Sequence, residues 1–367
     1  MRSTASSPVT NATAQDRRRF VGQAALGLAA GGSGLIGLAL APPAFASDSA
    51  DAGLAAIGNA ITWINSPRLA PADLRGKVVL VQFWTYTCIN WLRSQPFVRA
   101  WSEHYKDDGL VVIGVHAPEY SFEKNVDNVR RASAALKVAS PIVIDNEHAI
   151  WRAFGNQYWP ALYFIDAKGR IRHQQFGEGD YAKSEATLRR LLAEAGAQPR
   201  GPAPVDPHAF ELAADWASLK SPENYLGAAR TQQFASPGGI HAGSARTYAL
   251  PTRWRLNDWA LGGDWTLTDE AASLDKSGGR LASRFHARDL HMVLGPKSPG
   301  TSVAFRVRID GQAPGGSHGL DVDADGNGML AEQRLYELIR QPSPIRERQF
   351  EIEFAAPGAQ AFAFTFG

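Results

Sequence analysis

The sequence predicts two domains in tandem: an α/β domain, with a mixed sheet flanked by helices, followed by an all-β sandwich. The 367 residues suit two domains better than one. From residue 77 to residue 195, short apolar runs alternate with longer amphipathic runs, a pattern of strands and helices. Beyond residue 231 the runs are short and alternating, with Gly, Pro and Asp turns between them, which indicates strands alone.

The elements of the first domain, which we assign to residues 47–197, follow from the spacing of its apolar residues. Buried strands are predicted over residues 78–84, 110–115 and 141–145. Helices are predicted from about residue 88, over 121–136 with Ser121 as the cap, over 146–154 and around 188–192. Strands over 161–166 and 171–176 flank a short turn and form a hairpin. This order is typical of an α/β sandwich around one mixed sheet.

A proline-rich sequence, residues 198–204, separates the two domains. Prolines keep a chain extended, so this composition predicts a linker, which we place over residues 198–230. The β-sandwich is then assigned to residues 231–367. Within it, the alternating runs at 303–309 and 361–366 are typical of half-buried strands.

The composition excludes several classes of protein. Lys and Arg number 38 against 36 Asp and Glu, and they are scattered, so no nucleic acid partner is expected. There is one cysteine, Cys88, which excludes an intrachain disulfide and a cysteine-rich zinc site. The chain has neither a haem-attachment pattern nor a nucleotide-binding loop, so no bound cofactor is expected.

The first 46 residues have the features of an export signal. Arginines at residues 17–19 precede a segment of small and apolar residues, 22–41, and an Ala-Phe-Ala sequence ends at residue 46. The adjacent arginines resemble the twin-arginine type. We therefore expect a bacterial protein of the periplasm, or otherwise extracytoplasmic, without a membrane span after cleavage. An uncleaved N-terminal anchor is the alternative interpretation.

The residues around the cysteine carry a family resemblance. Residues 77–93 read KVVLVQFWTYTCINWLR, and Trp159-Pro160 follows later in the chain. This combination resembles the thioredoxin fold, and more closely the extracytoplasmic region of DipZ-type cytochrome c biogenesis proteins and related redoxins. Further similar stretches are found at residues 114–119, 150–156, 318–323 and 364–367. The resemblance implies thiol–disulfide chemistry in the first domain and a jelly-roll or carbohydrate-binding-module-like sandwich in the second.

Elementary chemistry supports a reactive role for Cys88. A cysteine at the first turn of a helix meets free backbone N–H groups and the positive end of the helix dipole, which both lower its pKa. In this fold the residue at Pro160 is a cis-proline that faces the reactive sulfur, and Trp159 would help to hold a substrate strand. The predicted substrate-binding residues are Trp84, Thr85, Trp91, Trp159 and Pro160.

Two departures from the family pattern change the expected mechanism. The position of the resolving cysteine, three residues after Cys88, is occupied by Trp91. A dithiol–disulfide cycle within one chain is therefore impossible. Gln82 occupies the position where thioredoxins usually place a buried carboxylate, and an amide cannot titrate. We also expect Trp91 to shape the entrance to the sulfur.

Three hypotheses for Cys88 remain open. In the first, Cys88 attacks the disulfide of a protein or small-molecule partner, and an outside thiol such as glutathione resolves the mixed disulfide. In the second, Thr85-x-x-Cys88 serves a one-cysteine peroxidase with an antioxidant role, since peroxiredoxins share this element. In the third, the domain is a non-catalytic binding module for a glycan or a protein, and Cys88 is an inert, buried residue.

Other polar residues near this motif are expected to be structural. His116 ends a predicted strand and has no second histidine at ligand spacing, so we interpret it as structural. Glu119 and the pair Arg130 and Arg131 are expected to be solvated.

An acidic segment in the sandwich fits the spacing of a calcium loop, with Gly326 at its sixth position. The candidate ligands are Asp321, Asp323, Asp325, Asn327 and Glu332. The residues upstream are rich in Gly and Pro, so the incoming helix of an EF-hand is missing. An acidic turn between strands is the preferred interpretation, with a calcium-stabilised loop as the alternative.

Three tryptophans lie close together at the start of the sandwich: Trp254, Trp259 and Trp265. Exposed tryptophans stack on sugar rings in carbohydrate-binding sandwiches, so a cell-wall glycan is a candidate partner. Packing in the core is the preferred interpretation, because large aromatic residues dominate sandwich cores.

Overall fold

A computed structural model describes residues 47–367, with side chains from residue 52 onward. The predicted export signal lies outside the described residues. No helix within 47–367 is both long and apolar enough to cross a membrane.

The first domain alternates strands and helices as far as a final hairpin and helix. Its helices are α1 (Ser47–Asn59), α2 (Ile89–His104), α3 (Val126–Ala135), α4 (Ala149–Ala153) and α5 (Tyr181–Glu194). Its strands are β1 (Trp63–Ile64), β2 (Val78–Trp84), β3 (Leu110–His116), β4 (Ile142–Ile144), β5 (Ala161–Ile165) and β6 (Ile171–Phe176).

These six strands form one mixed sheet in the order β1-β4-β3-β2-β5-β6. β2 is parallel to β3 and antiparallel to β5, and β3 is parallel to β4. All seven residues of β2 are buried, as a central strand covered on both faces requires. The predicted mixed sheet flanked by helices is confirmed. The carboxyl end of β2, at Trp84, lies four residues before Cys88 in the chain.

The predicted helix over residues 121–136 is wrong in its first turn. Residues Ser121–Lys124 form a 3₁₀ turn, and α3 begins only after Asn125, whose side chain accepts a hydrogen bond from the N–H of Asp127. Ser121 does not cap the helix because it binds elsewhere. Its N–H and hydroxyl donate to the Glu270 carboxylate at 2.6 and 2.5 Å. A contact with the second domain thus overrides the local capping signal.

The second domain consists of antiparallel strands. They are β7 (Asn224–Tyr225), β8 (Ala245–Tyr248), β9 (Trp259–Leu267), β10 (Ala272–Leu274), β11 (Gly279–Phe285), β12 (Asp289–Pro296), β13 (Val303–Ile309), β14 (Asn327–Leu330), β15 (Arg334–Arg340), β16 (Arg348–Phe354) and β17 (Ala359–Phe366). β7 lies in the segment expected to be a linker, and it pairs with β17.

The long strand β9 joins the two layers of this domain. Up to Gly262 it pairs with β11, and from Gly263 onward it pairs with β8 and β10. Gly263 has a φ of 93°, a conformation that glycine adopts without strain. One layer follows the order β14-β13-β16-β11-β9, and the other runs through β10, β17, β12 and β15. A large apolar core lies between them, and the predicted β-sandwich is confirmed.

The two domains share a hydrophobic cluster. Tyr86, Trp91 and Leu92, from the cysteine loop and α2, pack in one cluster with Leu335 and Phe362 of the second domain. Burial of apolar side chains is the main force that holds such an interface together. The face of the first domain that carries Cys88 is therefore the face on which the second domain rests.

Candidate functional site

Three of the predicted site residues meet at the start of α2. Cys88 is the N-cap of this helix and is half-buried. Its sulfur lies 3.9 Å from the carbonyl oxygen of Trp159, and the Trp159–Pro160 peptide bond is cis. The indole of Trp159 donates to the carbonyl of Ala117 at 2.9 Å, which fixes the ring beside the loop that follows β3. The arrangement places a thiol next to a backbone segment.

The expected lowering of the Cys88 pKa is wrong. The backbone N–H groups of Trp91 and Asn90 do act in that direction. They are outweighed by burial of the sulfur and by the negative charge of Glu223, so the pKa of Cys88 lies well above its usual value. At neutral pH the sulfur is a neutral thiol, because the positive end of α2 does not compensate for the loss of water.

A group of polar residues from both domains covers the loop beside Cys88. The Tyr225 hydroxyl donates to the Glu119 carboxylate at 2.6 Å, and Arg230 lies 3.3 Å from the same carboxylate. The Arg230 guanidinium also stacks over the Tyr225 ring, at 3.5 Å from its centroid. Glu119 was expected to be solvated, but its side chain is only 9% exposed.

Glu223 completes this group at its solvent side. The surrounding protein and the neighbouring Glu119 charge raise the pKa of Glu223, although part of its side chain is exposed. Sequence reasoning missed Glu223 and Tyr225 because they lie more than a hundred residues beyond Cys88 and reach it only through domain packing. No local motif marks them.

A buried carboxyl group lies below the cysteine loop. Glu123 accepts hydrogen bonds from the Thr87 hydroxyl at 2.6 Å and from the N–H groups of Glu119 and Tyr120 at 2.6 and 3.0 Å. Burial outweighs these donors and raises the pKa of Glu123 to about 7. Sequence reasoning missed Glu123. The pattern that could have indicated it is the spacing Tyr120-x-x-Glu123, in which a glutamate side chain accepts from the N–H three residues before it.

Trp91 does not shape an entrance to the sulfur in this conformation. It has no exposed surface and stacks on Trp84, with ring centroids 4.2 Å apart. Thr85 is equally buried, and its hydroxyl has no partner within the described residues. These three predicted substrate-binding residues therefore belong to the packed interior. Of the five, Trp159 alone has a half-buried side chain.

His116 lies inside the same aromatic packing. Its ring meets the edge of Trp84 at 4.9 Å and stacks on Tyr86 at 5.8 Å. Burial lowers the pKa of His116 to about 3, so the ring is neutral at physiological pH. This placement agrees with the structural interpretation.

The tryptophans of the sandwich do not form an exposed platform. Trp259 and Trp265 have no exposed surface and lie in the main core. The Trp259 indole donates to Thr231, and the Trp265 indole donates to the carbonyl of Gly262. Trp254 is half-buried. The glycan-stacking hypothesis fails for Trp259 and Trp265 because their rings face inward.

The acidic segment is organised by hydrogen bonds and ion pairs. Asp323 accepts from the N–H groups of Asp325 and Asn327 at 3.0 and 2.8 Å, as in an acidic turn. Asp321 pairs with Arg334 at 2.7 Å, and Glu332 pairs with Arg131 across the domain interface at 3.5 Å. Within residues 47–367, no cluster of three or more His, Cys, Asp or Glu side chains is arranged to hold a metal ion.

Comparisons with known families agree with this architecture. The redoxin family matches residues 67–192, and the thioredoxin-like C-terminal domain family matches residues 221–367. The second match begins before the predicted start of the sandwich and includes β7. The fold and the site thus define a thioredoxin-like protein with an added C-terminal domain.

Two relatives make the relationship specific. The chain is 36% identical over 308 residues to Protein DipZ of Mycobacterium tuberculosis, which covers 83% of this chain and 41% of that protein. It is 30% identical over 132 residues to the thiol-disulfide oxidoreductase YkuV of Bacillus subtilis, covering 36% of this chain and 88% of YkuV. The chain belongs to the thioredoxin-like redoxin family, and it spans about two fifths of the DipZ sequence.

A solved structure is also similar to part of the chain. The solution structure of a thioredoxin-like protein in the oxidized form is 31% identical in sequence and covers 37% of this chain and 90% of its own, with a TM-score of 0.34.

Proposed function

We propose that this chain is an exported thiol–disulfide exchange protein that works through Cys88 alone, with an outside thiol as the resolving group. The observation that carries the proposal is the position of the Cys88 sulfur, 3.9 Å from the carbonyl of Trp159 and next to cis-Pro160. An extended partner strand that paired with this backbone would present its disulfide to the sulfur. The predicted signal over residues 1–46 supports an extracytoplasmic site of action.

The exchange takes place in two balanced steps after the Cys88 thiol has lost its proton to water. The thiolate then attacks one sulfur of a partner disulfide, which forms a mixed disulfide and releases the other partner sulfur as a thiolate. An outside thiolate, from glutathione or a second protein, next attacks the partner sulfur of the mixed disulfide. Cys88 leaves as a thiolate and takes up a proton again, so the disulfide has passed between the partners and Cys88 is unchanged.

The surroundings of Cys88 make this reaction slow at neutral pH. The nucleophile is the thiolate, and burial of the sulfur keeps the thiolate population small. Trp91 supplies packing at the position where a second thiol would otherwise resolve the mixed disulfide. A mixed disulfide at Cys88 would therefore persist until an outside thiol arrives.

A non-catalytic binding module is the second candidate. This candidate is favoured by the raised pKa of Cys88 and by the polar side chains of Glu119, Tyr225 and Arg230, which bind one another beside the sulfur. The peroxidase hypothesis has less support, because the Thr85 hydroxyl has no exposed surface on which peroxide could bind.

The proposal is tested with 5,5′-dithiobis(2-nitrobenzoate), which releases one coloured thiolate for each exchange. Because the chain has a single cysteine, every molecule released reports on Cys88. We expect one equivalent from the folded full chain and none from Cys88→Ser. After the excess reagent is removed, glutathione should resolve the mixed disulfide and regenerate the Cys88 thiol. Once glutathione has been removed in turn, fresh reagent should release one further equivalent. Colour that appears only after denaturation would overturn the proposal and favour the binding module.

A further inference from the structure

A second concave site lies between the domains, on the other side of Tyr86 from His116. It is a cavity of about 350 Å³, which is the size of pockets that bind small molecules. Its walls come from α2, from α3 and the residues after it, from residues 208–211, and from the start of β15. Nothing in the proposed exchange chemistry uses this cavity.

The floor of the cavity is apolar. Leu92 and Leu335 are almost completely buried, and Leu136 and Phe210 are half-buried. Tyr86 completes the floor, and its side chain is almost completely buried there.

The rim of the cavity carries one cation that no acid neutralises. Arg99 pairs with Glu211 at 2.9 Å, and Arg131 pairs with Glu332 at 3.5 Å. Lys137, which follows α3, is exposed and has no ion-pair partner within the described part of the chain. The rim therefore offers a positive charge above an apolar floor.

We propose that this interdomain pocket binds a small, largely apolar molecule that carries one anionic group. The apolar body contacts Leu92, Leu335 and Phe210, and the anionic group lies at the rim next to Lys137. Burial of apolar surface supplies most of the affinity, and the exposed ion pair adds a smaller share. This inference does not depend on the redox activity of Cys88.

Two fluorescent probes test the two parts of the proposal separately. 1-Anilinonaphthalene-8-sulfonate is apolar with one anionic group, and N-phenyl-1-naphthylamine is its uncharged analogue. We expect both probes to bind the full chain saturably in the pocket. Ala132→Phe fills the cavity from α3 and should abolish that binding. Ala134→Phe is the matched control, since Ala134 is exposed on the same helix and does not line the cavity.

The charge is tested with Lys137→Gln. We expect this substitution to weaken the binding of the sulfonate probe about threefold and to leave the affinity of the neutral probe unchanged. Lys106→Gln removes an exposed cation outside the pocket and should change neither. The pocket is refuted if both probes bind Ala132→Phe, with an unchanged circular dichroism spectrum, as tightly as they bind the unaltered chain. The anion preference is refuted if Lys137→Gln affects both probes equally or neither.

Discussion

The domain interface has two sides, one beside Cys88 and one on the far side of Tyr86, and the second domain packs differently against each. Beside Cys88, Tyr225 and Arg230 from the second domain bind Glu119 and cover the loop with polar and charged groups. On the far side of Tyr86, the domains do not fill the space, and a cavity with an apolar floor remains. One hydrophobic cluster, which includes Tyr86 and Trp91, lies between the two sides.

This difference shows that one interface can restrict chemistry in one place and admit a ligand in another. On the Cys88 side, loss of water and nearby carboxylates disfavour the thiolate. On the pocket side, an apolar floor and a cation without an acid remain for a bound molecule. The cluster between them fixes both arrangements, so its loss should disturb both.

Trp91→Ala should have the largest effect. It removes a fully buried ring that stacks on Trp84 in the shared cluster. We expect the free energy of unfolding, measured with urea, to fall by about 3–5 kcal/mol. Trp216→Ala is the matched control, because Trp216 is 46% exposed and should contribute little. A loss below about 1 kcal/mol for Trp91→Ala would mean that this stack does not hold the interface.

Glu223→Gln should have a smaller effect, confined to the Cys88 side. Removal of this negative charge favours the thiolate, so the pKa of Cys88 should fall. We expect alkylation by iodoacetamide at pH 9, where Glu223 with its pKa of about 8 is ionised, to become about threefold faster. This change corresponds to about half a pKa unit for Cys88.

Glu332→Gln is the comparison for that experiment. Glu332 also belongs to the second domain but lines the pocket, where it pairs with Arg131. It should leave the alkylation rate unchanged. Equal acceleration by both substitutions would show that the two sides of the interface are not electrostatically distinct.

The sequence was sufficient for the features that depend on local patterns. The apolar run of β2 and the Trp159-Pro160 sequence placed Cys88 at a helix start and next to a cis-proline, as the structure shows. A dithiol cycle within one chain could be excluded because Trp91 occupies the position of the resolving cysteine. Each of these features is determined by residues that are close in sequence or that belong to a known pattern.

Features that depend on domain packing could not be predicted in this way. The pKa direction of Cys88 is set by burial and by Glu223, which lies in a segment expected to be a linker. Ser121 binds Glu270 of the other domain and therefore does not cap α3. The buried carboxyl of Glu123 lies in a turn, whereas sequence reasoning looked for a carboxylate at Gln82.

The central claim is that Cys88 is an accessible thiol whose reactivity is held down by its position at the domain interface. The most direct test is the pH dependence of iodoacetamide alkylation of the folded full chain, with Cys88→Ser as the blank. Because the pKa of Cys88 is raised, we predict a rate that is slow at pH 7 and still increasing at pH 9. A rate that reaches its plateau below pH 8 would contradict this account and identify an activated thiolate.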